Sequence, residues 1–577
     1  MDMKNILSGL SFSAYETLGV HPEKKGNGFS VFAPEAKSVS LIGEFSEWKE
    51  IPMKKDDNGV WSVSVKNSEA GQMYKFRITT KEGKTYDRMD PFAFFSEKRP
   101  GNASVIYNPS EYKWNDSEWI SSRKKDFSEN INIYEVHLGS FMKKDDGEFL
   151  SYDELAEKLI PYVKSLGMNY VEFLPFTEHP LDASWGYQVS GYYSATSRYG
   201  DPDGLKRLIE KCHQNNIGVI MDFVPLHFVS DYFSLNCYDG SHIFESDIEN
   251  ERHSRWGTTL FDFSKPFVIS FLHSAVAFWI ENYHIDGIRF DAVSEMIYRH
   301  GSGDEGLNEP AIWFMKTLNF YISKKYEDVM LIAEDSSIFG KVTAPVEYGG
   351  LGFDYKWDLG WMNNTLYYLS LPFEKREYKA YSIYHSMDYF YNENYILPLS
   401  HDEVSHGKKS LINKFYGDFE ERFLQLKLLL TYAFTHPGKK LFFMGTEIPS
   451  EKEWNEYDVL EWENGRREEL TEFFSGLSSL YSSHPSLYKN DFDGRFFRWT
   501  EKENDECLFI FERLSDDGDK VITALNFSDE KVSKKILLSP DDEILISSGK
   551  AEITRTKTMA TLKLGKISSA VIGKKYN

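Results

Sequence analysis

Gly218-Val-Ile-Met-Asp222, the long apolar segment Pro266–Tyr283 and Gly287-Ile-Arg-Phe-Asp291 follow one another and decide the fold. Each outer run is short, apolar and closed by an acid, and the segment between them is long enough for a helix. Strand, helix and strand in that order read as a parallel unit. Outward from it the pattern repeats. Ile131-Asn-Ile-Tyr-Glu-Val-His137 and Tyr170-Val-Glu-Phe-Leu-Pro175 precede it. Val329-Met-Leu-Ile-Ala-Glu334, Gly352-Phe-Asp-Tyr-Lys-Trp-Asp358, Tyr395-Ile-Leu-Pro-Leu-Ser-His-Asp402 and Lys440-Leu-Phe-Phe-Met-Gly-Thr-Glu447 follow it. Helix-period segments lie between several of these runs, at Asp153–Leu166, Pro202–Asn215, Pro310–Lys325 and Phe419–Thr435. Eight such units predict a (β/α)₈ barrel with insertions. An open doubly wound sheet is the alternative, but no GxGxxG opens a helix after a strand and no Walker loop is present.

The flanks read differently. Before the barrel, Trp61, Val63 and Val65 alternate, as do Tyr74, Phe76 and Ile78, with turns at Asp57-Asn58-Gly59 and Glu82-Gly83. This predicts a β-sandwich, followed by a charged linker at Ser121-Ser-Arg-Lys-Lys-Asp126. After the barrel, Phe496–Trp499, Cys507–Phe511 and Val521–Phe527 predict a second small sandwich, with turns at Glu503-Asn-Asp505 and Asp516-Asp-Gly518. The expected division is 1–120, 121–490 and 491–577.

The 577 residues are 41% hydrophobic and 27% charged, which excludes disorder as the main state. Lys and Arg number 66 against 89 Asp and Glu, a net charge of −23, so the chain as a whole does not steer to nucleic acid or anionic membrane. Three cysteines, Cys212, Cys237 and Cys507, show neither a disulfide framework nor zinc spacing. The first twenty residues do not read as a signal peptide, and no apolar run reaches membrane-spanning length. The expected location is the cytoplasm. Trp61 is expected in a core, and Trp48 is open between core and sugar platform. Tyr192 and Tyr193 are expected as wall, and Cys212 as packing.

In a barrel of this kind chemistry collects at the C-terminal strand ends. There lie Asp222 with His227 five residues on, Arg289 with Asp291, Glu334-Asp335, and His401-Asp402-Glu403. Acids from four strands suit either oxygen ligation of a metal or glycosidic bond cleavage. Arg289, two residues before Asp291 on the same strand face, argues against a metal there and for a carboxylate kept charged.

These motifs, in order, resemble those of the α-amylase superfamily: Asp222-Phe-Val-Pro-Leu-His227, Gly287–Val293, Ile332-Ala-Glu-Asp-Ser336 and Leu399-Ser-His-Asp-Glu-Val404. Longer pieces are similar to the 1,4-α-glucan (glycogen) branching enzymes within it. They are Ile133–Phe141, Ser184-Trp-Gly-Tyr-Gln-Val189, Thr196–Gly200 and Leu399 through His406-Gly-Lys-Lys409. Phe32-Ala-Pro34 and Gly43–Trp48 resemble the glycogen-binding-type sandwich that precedes such barrels. The resemblance implies that Asp291 is the nucleophile, Glu334 the general acid and base, and Asp402 the third acid gripping sugar hydroxyls. It implies that Arg289 orients Asp291, His227 and His401 bond the sugar, Tyr187 stacks beneath it, and Asp222 supports the site. It implies transfer of an α-1,4-glucan chain to a 6-hydroxyl with retention and no metal; no cofactor is expected, and the protein is expected to be a monomer. An amylase- or trehalohydrolase-like hydrolase shares every catalytic residue and is the alternative. A catalytically dead glycan-binding protein is disfavoured by the intact Asp291, Glu334 and Asp402. Phe223, Leu226 and Met444–Pro449 depart from the family pattern, as does the approach to Trp454-Asn455. The shapes of those loops are therefore not carried over.

Overall fold

The computed structural model describes residues 3–502, 506–556 and 559–576. Eight parallel strands close into a barrel in chain order: Asn132–Val136, Tyr170–Phe173, Gly218–Phe223, Gly287–Phe290, Met330–Ala333, Tyr355–Trp357, Tyr395–Leu399 and Lys439–Phe443. The eighth pairs with the first, Ile133 opposite Leu441, so no sheet edge is left open. All eight are buried on both faces, which is why they read as continuous apolar runs rather than alternating ones. Cross-strand register sets the site: Asp222 lies opposite Arg289, and Arg289 opposite Ile332.

Helices start where their sequences say they should. Ser151 and Glu154 form a capping box on Tyr152–Ser165, and Asp418 with Glu421 forms one on Phe419–Thr435. Asp201 caps Pro202–Gln214, with proline at its first position. Pro266–Tyr283 is buried nearly all round. A barrel helix normally shows water one face, but here the N-terminal sandwich covers it. Phe94 stacks on Phe278 at 5.1 Å, Phe32 packs on Phe267 at 4.4 Å and Tyr15 meets Phe278 at 5.2 Å. The first residues join this seam, where Ser11 N donates to Ser270 Oγ at 3.2 Å and Ala14 N to Ser274 Oγ at 2.9 Å.

The sandwich itself has a four-stranded and a five-stranded antiparallel sheet within residues 19–105. Trp61 is in its core, its Nε1 donating to the Ala33 carbonyl at 2.9 Å. Trp48 is 40% exposed, which removes the core reading. After the barrel, a five-stranded and a three-stranded sheet enclose a separate apolar cluster that includes Ile510, Ile522, Leu562 and Ile572. The expected turn at Glu503–Asp505 lies outside the described residues. No helix among the described residues is long and apolar enough to cross a membrane.

The stretch expected as a linker is docked on the barrel. Ser117–Ser122 is a helix, and Arg123 reaches the barrel's lower rim, with Nη1 3.1 Å from Asp286 and Nε on Asp328. Lys125 pairs with Asp354 at 2.9 Å. Two cations of the linker therefore meet acids at the strand beginnings. Asp286 also accepts from Val219 N, Trp119 Nε1 and His213 Nε2. Burial alone would raise its carboxyl, but His213 and Arg123 outweigh burial and hold it below the usual range. Arg123→Ala removes one of the two cations that hold that charge and leaves His213, so a loss of about 2 kcal/mol is expected. Urea unfolding checks it, with Arg123→Lys recovering part of the loss.

Candidate active site

The site is built around one buried guanidinium. Arg289 Nη1 donates to both oxygens of Asp222 at 2.8 Å and to Asp291 Oδ1 at 2.9 Å. Its planar head lies 4.4 Å from the centre of the Trp357 ring on the sixth strand. Register explains the first contact, since Asp222 and Arg289 are directly opposite on neighbouring strands.

Beyond Arg289 the chain turns sharply. Ala292 sits in the left-handed region at φ +53°, unusual for a residue with a Cβ, and such strain persists where its surroundings enforce it. Here Ala292 N donates to Glu334 Oε2 at 2.8 Å, and Val293 N to the Glu334 carbonyl at 2.9 Å. Glu334 N in turn donates to the Phe290 carbonyl at 3.0 Å. These bonds bring the ends of strands four and five together and set the Glu334 carboxyl beside the residue that follows Asp291. Arg289 contacts Asp291, whereas Glu334 has no ion pair among the described residues.

A polar chain backs these two acids. His401 Nδ1 and N meet the two oxygens of Glu135 at 2.5 and 3.0 Å. His401 Nε2 lies 3.1 Å from the Tyr187 hydroxyl, which donates to Asp222 Oδ2 at 2.5 Å. The chain therefore runs from Glu135 through His401, Tyr187 and Asp222 to Arg289 and Asp291. Burial would lower the His401 pKa, but Asp402 and Glu135 outweigh it and raise it to about 9. Asp402 lies 3.5 Å from His401 Nε2 with its side chain half exposed to the cleft. Burial acts to raise its carboxyl, but His401 and Arg289 prevail and hold it below the ordinary range. His227 is buried with no partner for Nδ1 among the described residues, and burial lowers its pKa to about 4.

Asp291, Glu334, Asp402, Tyr187, His227 and His401 line one cleft of about 1230 Å³. Arg289 and Asp222 lie beneath it, in direct contact with Asp291 and Tyr187. Of the two neighbouring acids in the same motifs, Glu403 lines the cleft and Asp335 does not. Asp335 is buried against Lys356 Nζ at 2.7 Å, and Glu403 lies between Lys408 and Lys414. The Tyr187 ring stacks on His401 at 5.6 Å, and its hydroxyl is already bonded. At the rim, two segments singled out for the family resemblance meet. Trp185 stacks on His406 at 4.4 Å and packs edge-on to Trp454 at 4.9 Å. Opposite, Trp256 is 43% exposed, under Arg255 at 4.6 Å, which pairs with Glu295 at 3.1 Å.

The departures from the motifs have structural partners. Phe223 packs against Tyr192 and Phe290 inside the wall. Glu447, in the altered segment after strand eight, is buried and accepts from Tyr134 and Tyr162. Phe223 and Glu447 are therefore packing residues of the barrel wall.

Two residues escaped the reading of strand ends. Glu135 and Glu172 lie inside the first two strands, opposite one another in register and wholly buried. Their only signal is a charged residue within an otherwise apolar strand. Burial raises the Glu172 carboxyl well above its usual value, with repulsion from Glu135 and Asp222 added. Glu135 positions His401. Glu135→Gln removes the charge while keeping the shape, so the His401 pKa should fall from about 9. Activity should fall by about 10- to 100-fold through the loosened site. Imidazole NMR and kcat measure the two together; an unmoved histidine resonance would show that Glu135 has no such role.

Closed barrel, convergent acids and leading sandwich define an α-amylase-type enzyme. Residues 17–93 match Carbohydrate-binding module 48 (Isoamylase N-terminal domain), and residues 136–242 match Alpha amylase, catalytic domain. The chain is 41% identical to the 1,4-alpha-glucan branching enzyme of Bacillus caldolyticus, over 99% of this chain and 88% of that one. It is 43% identical to that of Geobacillus stearothermophilus, over 90% of this chain and 84% of that one. The chain belongs to the 1,4-alpha-glucan branching enzyme family. Among solved structures, a pullulanase complexed with maltotetraose from Anoxybacillus sp. LM18-11 shares the fold, with TM-score 0.76 and 17% identity, covering 100% of this chain and 89% of that one. Apo pullulanase from Paenibacillus barengoltzii does so with TM-score 0.73 and 18% identity, covering 97% and 94%.

Proposed function

We propose that the chain cleaves α-1,4 bonds of a glucan and passes the released chain to a 6-hydroxyl, making α-1,6 branches by double displacement. The reading of roles rests on one observation. Arg289 bonds Asp291, and no cation pairs with Glu334 among the described residues. Burial pushes both carboxyls up, to about 7 each, so near neutrality the pair holds about one proton. The guanidinium leaves Asp291 as the carboxylate and Glu334 as the acid.

In the first step Glu334 gives its proton to the glycosidic oxygen as the C1–O bond breaks, and Asp291 forms an ester with C1. In the second, a 6-hydroxyl attacks C1, its proton passes to Glu334, and the ester leaves. Two inversions keep the α configuration. Asp402 and the His401 cation hold ring hydroxyls, His227 adds a neutral imidazole, Tyr187 lies beneath the sugar, and Asp222 with Arg289 holds Asp291. The partner is α-glucan polysaccharide, and neither nucleic acid nor membrane is part of the reading. The same proposal places the enzyme in the cytoplasm as a monomer. It divides the chain into a glucan-binding sandwich at 1–120, the catalytic barrel at 121–490 and a second sandwich at 491–577.

Transfer rather than hydrolysis follows the activity for which the related branching enzymes are named, and the Trp185–His406 pair at the rim gives the acceptor a wall. Incubation with amylose separates the two. Branching lowers iodine absorbance with few new reducing ends until a debranching enzyme releases them. Reducing ends rising from the start, in step with iodine loss, would mean a hydrolase.

A further inference from the structure

The loop between strands three and four gathers a second set of reactive groups. Cys237, His242 and Glu245 each present a donor atom, and the three atoms lie within 4.8 Å of one another. None of the three lines the catalytic cleft. We propose that they bind one divalent cation of the zinc class.

The donor set fixes the class. A thiolate with an imidazole and a carboxylate suits zinc, whereas calcium and magnesium take oxygen alone. Zinc holds sulfur at about 2.3 Å and nitrogen or oxygen at about 2.0–2.1 Å, which puts tetrahedral ligand atoms ~3.3–3.8 Å apart. From the spacing seen here the ligand atoms have to close by at most about 1.5 Å.

Glu245 supplies an independent reason. It is wholly buried, yet it enters no ion pair among the described residues. Its oxygens accept backbone N–H bonds from Cys237 at 2.7 Å and Phe244 at 3.2 Å, and its one side-chain contact is with the Cys237 thiol of the same cluster. The nearby Lys265 donates to the backbone carbonyls of Glu245 and His242, not to this carboxylate. A buried carboxylate with no cation in contact is costly. A dication with one thiolate and one carboxylate gives a neutral cluster. Asp247, 3.0 Å from His242 Nδ1, adds an anionic oxygen at its edge.

The place gives the cation a task. This loop is where the sandwich meets the barrel. Arg88 of the sandwich donates to the carbonyls of Asn236 and Cys237 at 3.1 and 2.7 Å, and Asp239 accepts from Glu35 N at 2.7 Å. Cross-linking residues 237 to 245 would stiffen that seam. Cysteine spacing gave no hint of it, because only one ligand is a cysteine and the loop's fold supplies the rest.

The test uses the full-length protein, stripped with chelator, equilibrated with zinc and desalted. Elemental analysis should find about one zinc per chain, and cobalt in its place should give a thiolate-to-cobalt charge-transfer band. Cys237→Ser and His242→Ala should each lose the band and weaken zinc binding by about 100-fold or more. Both change half-buried loop positions, and circular dichroism checks that each variant is folded. Cys212 and Cys507 are buried, so Cys212→Ser serves as the thiol control and should bind like the parent. Uptake below about 0.1 equivalents by the parent, or unchanged affinity in both variants, would overturn the site.

Discussion

Asp291→Asn should lose transfer and hydrolysis together, by about 10⁴-fold or more, because no covalent route remains without the nucleophile. Folding should survive. Asp291 takes one of the hydrogen bonds from Arg289 Nη1, and the amide oxygen of asparagine can still accept it. The bonds to Asp222 are untouched. Glucan binding should therefore stay near that of the parent while turnover vanishes. Activity within tenfold of the parent would remove Asp291 from its role.

Glu334→Gln separates the two halves of the chemistry. General acid catalysis contributes about 10²–10⁴-fold, so branching of amylose should fall by that factor. An α-glucosyl fluoride departs without a proton, so the first step with it should fall far less. The second step still lacks its base, so the ester on Asp291 should accumulate and be found by mass spectrometry of the intact chain. The pH profile gives the sign. The Glu334 carboxyl is raised to about 7 by burial, against Arg289 and with Asp291 and Asp402, and it works protonated. Parent kcat/KM on amylose should fall as pH rises through that region, where an ordinary glutamate would already have lost its proton. With the fluoride the variant should lose that alkaline limb. A β-configured first product by proton NMR would refute double displacement altogether.

The eight barrel strands were legible because parallel strands buried on both faces leave mainly apolar runs, seven of the eight closed by a polar residue at the mouth. Pro266–Tyr283 was legible at its ends, by Pro266 and the Gly287 run, although its burial on every side needed the sandwich to be seen. The acids at strand ends were legible as a set. Which of two neighbours turns inward was not legible from spacing. Glu334 meets Ala292 N while Asp335 meets Lys356, and that choice depends on a lysine from the next strand. Glu135 and Glu172 were overlooked because strand interiors were taken for core. The docking of Ser121–Asp126 was not legible, because a charge run carries no mark of the acids waiting for it. The Cys237 cluster has no periodicity at all and exists only in the folded loop.

The seam between the N-terminal segment and Pro266–Tyr283 also sets a schedule for synthesis. Ser11 must wait for Ser270, which is 259 residues later in the chain. At about 5–20 residues per second the ribosome needs on the order of 10–50 s to make that partner. Once residues 19–105 have been made, the sandwich stands for the rest of that interval with Phe32 and Phe94 unshielded, because the helix that covers them is unmade. A nascent chain in this state is a substrate for chaperones and prone to self-association. Slowing translation downstream of the sandwich should therefore lower soluble yield without altering a single native contact.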